Sequence, residues 1–108
     1  MISEECHDLA TVLFKNWLFI DSARRYAITK NKEQALMATI NARAVVYESG
    51  YEKALTENEA KALATDLEPV IDALNKEEFT FAQDRLHELS EQVFMSALQK
   101  VVSCECRR

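Results

Sequence analysis

The sequence predicts an all-α fold: an antiparallel up-down-up-down four-helix bundle whose third helix is kinked or broken near Pro69. Three observations predict it. A chain of 108 residues carries one glycine and one proline, so residues that favour turns or break helices are scarce. Apolar residues recur at 3.6-residue spacing along four stretches, where a strand would alternate them. The polar gaps between the stretches are short, which makes successive helices antiparallel neighbours. The whole of 1–108 reads as one domain, large enough to bury roughly two thirds of the surface its unfolded chain exposes.

The first helix runs from about Ser3, its N-cap, to Ile28, with Cys6, Leu9, Leu13, Trp17, Ile20 and Ala27 on one face. Thr29-Lys30-Asn31-Lys32 is a polar connection. The second helix turns Leu36, Met37, Ile40, Ala44 and Tyr47 inward and stops at Ser49-Gly50, where Gly50 takes a left-handed cap. Thr56 to Glu59 is a capping box opening the third helix, whose stripe is Ala60, Leu63, Leu67, Val70, Ile71 and Leu74. Pro69 removes a hydrogen bond and crowds the preceding turn, so the helix should bend or restart there, with Asp66 capping the restarted segment. A second box, Asn75 to Glu78, opens the last helix, or Thr80 does with Gln83 as its partner. Its inward set is Phe79, Ala82, Leu86, Leu89, Val93, Ala97 and Val101.

This topology brings the start of the first helix to the end of the fourth, so Cys6 and His7 should lie near Cys104 and Cys106. Three thiols and an imidazole can ligate zinc, but adjacent positions 6 and 7 point about 100° apart on a helix. Zinc is therefore a weak alternative, and so is a disulfide from Cys6 to Cys104 or Cys106. The expected state is three inert thiols, with Cys6 a small hydrophobe in the stripe. No metal and no cofactor are expected.

A net charge of −5 with 29% charged residues is too mild for a disordered acidic tail and lacks the basic excess of a non-specific duplex binder. The start MISEECHDLA has carboxylates where a secretory signal has cations. No apolar run approaches a membrane span, and the odd cysteine count favours a reducing cytoplasm. No catalytic motif emerges. His87 reads as a surface histidine, because Glu88 and Glu91 would repel a phosphate on it. The acidic pairs Glu48/Glu52, Glu68/Asp72 and Glu88/Glu91 read as wet helix sides.

Two features point to partners. Arg24, Arg25, Lys30 and Lys32 gather at one pole, to which the topology adds Lys76, with Tyr26 among them. Phosphate or nucleic acid is the alternative ligand there, and simple compensation of helix dipoles is the plainer account. Arg24 falls on the core face and calls for a partner carboxylate if buried. The stronger feature is an apolar surplus. Phe14, Leu18 and Phe19 on the first helix, and Ala38, Ala42 and Val45 on the back of the second, exceed what one stripe per helix needs. The chain thus reads as a non-enzymatic protein–protein interaction module: an inhibitor, immunity protein, adaptor or small regulator. It is expected to pair with itself as a homodimer, with another protein, or with both, through those residues.

Overall fold

The computed structural model describes residues 4–51 and 55–106, with side chains over 6–47 and 55–104. Four helices follow in chain order: α1 Glu4–Ile28, α2 Lys32–Tyr51, α3 Glu57–Asn75 and α4 Phe79–Cys106. No strand occurs among the described residues. The fold is the all-α four-helix bundle the periodicity predicted. α1 packs along both α2 and α4, while α3 packs along α2 and more lightly along α4.

Individual contacts show which ends meet. A disulfide between Cys6 and Cys104, with Cα atoms 5.9 Å apart, joins the start of α1 to the end of α4. Lys32 Nζ donates to the Asn75 carbonyl at 3.1 Å, tying the start of α2 to the end of α3. Lys100 Nζ lies 2.9 Å from Glu59 Oε1, tying the start of α3 to the last turns of α4.

α1 and α3 terminate by the same device. Lys30 N donates to Ala27 O at 3.1 Å and Asn31 N to Tyr26 O at 2.9 Å; Glu77 N donates to Leu74 O at 3.1 Å and Glu78 N to Ala73 O at 2.8 Å. This paired pattern is the Schellman motif, whose left-handed residue is usually glycine. Here Lys30, at φ 60°, and Glu77, at φ 59°, occupy it. The glycine lies elsewhere. Contrary to the predicted cap, α2 runs through Gly50 to Tyr51. The predicted second capping box is also replaced, because Asn75 closes α3, Glu77 takes the left-handed turn and α4 starts at Phe79.

The first capping box forms as expected. Thr56 Oγ1 accepts from Glu59 N, and Glu59 Oε1 accepts from Thr56 N, each at 3.1 Å. Ser3, the predicted cap of α1, lies outside the described residues. α3 does not break at Pro69. The carbonyl that Pro69 leaves without its usual donor belongs to Thr65, and both residues are exposed, so water can satisfy that carbonyl and the helix continues.

The core confirms most of the predicted stripes. Cys6, Leu13, Ile20 and Ala27 of α1, Ala60, Leu67, Val70 and Leu74 of α3, and Ala82, Leu86, Leu89 and Ala97 of α4 are buried. α2 is the exception, since it is rotated by about half a turn from the predicted placement. Ala35, Ala38, Thr39, Ala42, Val45 and Val46 face the core, whereas Met37, Ile40, Ala44 and Tyr47 are exposed and Leu36 is half-buried. Small side chains let α2 sit close between α1 and α3, and large partners such as Ile20, Leu67 and Leu74 fill the space.

Candidate interaction surfaces

The inverted second helix carries the clearest unpartnered surface. Met37, Ile40 and Tyr47 remain 58%, 45% and 63% exposed, with exposed Ala44 between them. Their spacing of three, four and three residues keeps them on one narrow line along the helix, opposite the buried alanines. A helix in this position needs one apolar stripe. α2 has two, and the molecule uses the small-residue one.

The predicted interface residues therefore divide. Ala38, Ala42 and Val45 are buried within the chain and are unavailable to a partner. Phe19 is half-buried against the main core. Phe14 packs edge-on against Phe94, with centroids 5.8 Å apart, and Trp17 approaches the same ring at 5.6 Å. Leu18 alone stands clear, at 55% exposed, and its one-turn neighbours on that face, Lys15 and Ser22, do not extend it into a stripe. A second apolar patch escaped the sequence reading. Phe94, Met95, Leu98 and Val102 are exposed along the outer side of α4, at spacings that placed them outside the inward set.

Part of the charge assigned to the predicted basic pole is spent within the chain. Arg24 Nη2 lies 3.0 Å from Asp21 Oδ1, and Arg25 Nε lies 3.0 Å from Asp21 Oδ2. Asp21 is buried and is the partner carboxylate that Arg24 calls for. Lys32 is held on the Asn75 carbonyl, which places Lys30, Lys32 and Lys76 at one end. Lys30 and Lys76 are exposed. His87, on α4, is exposed and has Nε2 3.2 Å from Glu91 Oε1.

At the opposite end Cys6 and Cys104 do meet, though as a disulfide in place of the expected inert thiols. With those sulfurs bonded to each other, neither is a thiolate donor for zinc in this state. His7 is exposed, and the Cys106 side chain lies outside the described residues. Among the described residues no group of three or more His, Cys, Asp or Glu could hold a metal ion, and no helix is long and apolar enough to cross a membrane.

No family model, curated protein or solved structure matches the chain.

The Glu59 carboxyl is shifted in acidity by its setting at the start of α3. Burial pushes its carboxyl up, but hydrogen bonds from Lys100 and from the Thr56 backbone and hydroxyl outweigh this and hold it below the usual carboxylate range. The shift belongs to a helix start and an inter-helix tie, so it has a structural origin.

Proposed function

We propose that this protein is a non-enzymatic interaction module that pairs with a second copy of itself through the outer face of α2. The observation that carries the reading is the exposed line of Met37, Ile40, Ala44 and Tyr47. Its spacing is symmetric about Ala42. An antiparallel two-fold pairing sets Met37 against Tyr47 of the second copy, two large apolar side chains, and Ile40 against its small Ala44. A single helix face falls short of the roughly 800 Å² per partner of a standard stable interface, so the expected dimer is concentration-dependent. Inhibitor, immunity protein, adaptor and small regulator are all roles such a module can fill.

Light scattering across a dilution series tests it. The wild type should approach twice the 12.4 kDa chain mass at high concentration, and Ile40→Glu or Tyr47→Glu should hold it at the monomer mass with unchanged helical circular dichroism. A wild type that stays monomeric, or glutamate variants that still dimerise, would refute pairing through α2. We place the protein in the cytoplasm, and the state of its cysteine pair reports on that placement. In a reducing compartment Cys6 and Cys104 would stand as neighbouring thiols, whereas an oxidising one keeps them joined.

A further inference from the structure

Four polar side chains are buried among the described residues: Asn16, Asp21, Thr39 and Ser90. Three of them are satisfied. Asp21 holds two arginines, Thr39 Oγ1 donates to Ala35 O at 2.8 Å, and Ser90 Oγ donates to His87 O at 2.9 Å. Asn16, 1% exposed, has no hydrogen-bond partner at either Nδ2 or Oδ1. Native interiors seldom leave both ends of a carboxamide unpaired, and the omission coincides with a cavity.

Asn16 lines a cavity of about 230 Å³ at the seam where α3 meets α4. Leu13, Leu55, Leu63 and Val93 make most of its wall apolar, and Gln92 and Ser96 add neutral polar groups. The two carboxylates at its edge, Glu59 and Asp66, are each compensated across the seam, Glu59 by Lys100 at 2.9 Å and Asp66 by Arg85 at 3.4 Å. These ion pairs bracket the cavity along the two helices.

We infer that this cavity is a binding site for a small uncharged carboxamide with an apolar body, read by the Asn16 side chain. An amide group presents one donor and one acceptor side by side, the complement of the unpaired Nδ2 and Oδ1. A free cation or anion has no uncompensated charge to meet at the edge. The size agrees, because an apolar cavity of about 150 Å³ takes benzene, which leaves room here for a ring carrying an amide. α2 contributes nothing to the wall, so the site is independent of self-association.

The experiment is a titration of the full-length ¹⁵N-labelled protein with benzamide, and separately with toluene, followed by the Asn16 side-chain NH₂ resonances. Benzamide should produce a saturable shift of those resonances and bind at least about tenfold more tightly than toluene, since a buried amide left unpaired penalises the ligand that lacks the group. Asn16→Leu should remove that preference. Three results would overturn the inference: no saturable shift with benzamide, equal binding of toluene, or a long-lived water on the Asn16 amide that benzamide does not displace. The wild-type comparison decides the matter even if the leucine variant does not fold.

Discussion

Reducing the Cys6–Cys104 bond should lower the melting temperature by a wide margin. The bond closes a loop with a sequence separation of 98, nearly the whole chain, so its removal releases the unfolded ensemble from a large constraint. The chain-entropy relation gives about 4.7 kcal/mol for a loop of this length, and measured disulfides more often deliver about 2 to 4. For 108 residues, an unfolding entropy of about 2.1 cal/mol/K per residue sums to about 0.23 kcal/mol/K. A loss of about 2 to 4.7 kcal/mol then corresponds to a fall of about 9 to 20 °C. Calorimetry with and without a phosphine reductant measures it, and thiol titration of the unfolded protein counts the free sulfurs. Cys104→Ser should abolish the reductant-sensitive step, and Cys106→Ser should preserve it. An oxidised sample with three titratable thiols would refute the pairing. A confirmed bond whose reduction leaves the melting temperature unmoved would refute the loop-closure argument.

Glycine at the two left-handed turn positions should stabilise the fold. Lys30→Gly and Glu77→Gly each relieve a side chain held near φ 60°, and each should gain about 1 kcal/mol in denaturant unfolding; a lower midpoint in both would refute the strain argument. Thr56→Ala removes the hydroxyl half of the α3 capping box and should cost about 1 kcal/mol in the same assay, and no change would show that the box is redundant. Because the Glu59 carboxyl sits below its ordinary value of 4.5 in the folded chain, its contribution is fully present above pH 4.5 and is lost as pH falls through the lower folded value. Glu59→Gln should therefore be less stable than wild type at neutral pH and converge with it in acid, and a constant gap across that range would remove the carboxylate from the account.

Much of the frame was legible in the sequence. The periodic stripes of α1, α3 and α4 located the core because each of these helices has one apolar face, and the reciprocal pair Thr56/Glu59 marked a helix start by chemistry that is local in sequence. The meeting of Cys6 with Cys104 followed from topology alone. Helix ends were less legible. The Schellman turns use Lys30 and Glu77, residues with no intrinsic left-handed preference, while the glycine that has one lies inside α2. Closure of the bundle holds those turns, and a local reading cannot register a constraint imposed by the packing of whole helices.

The rotation of α2 has the same kind of cause and matters most for function. Both of its faces are apolar, so periodicity cannot choose between them and side-chain size becomes the tempting guide. Size misleads, because the packed volume between neighbours is shared. Where α1 and α3 already supply Ile20, Leu67, Val70 and Leu74, α2 must supply alanine for the helices to approach. This complementarity makes opposite demands on the two faces. Ala42→Leu adds volume at a fully buried position and should destabilise the chain by about 1 to 3 kcal/mol, whereas Ile40→Ala removes a half-exposed side chain and should leave the monomer within about 0.5 kcal/mol of wild type. Were the two effects reversed, Met37, Ile40 and Tyr47 would be the core after all, and no surface would remain on α2 for a second copy to meet.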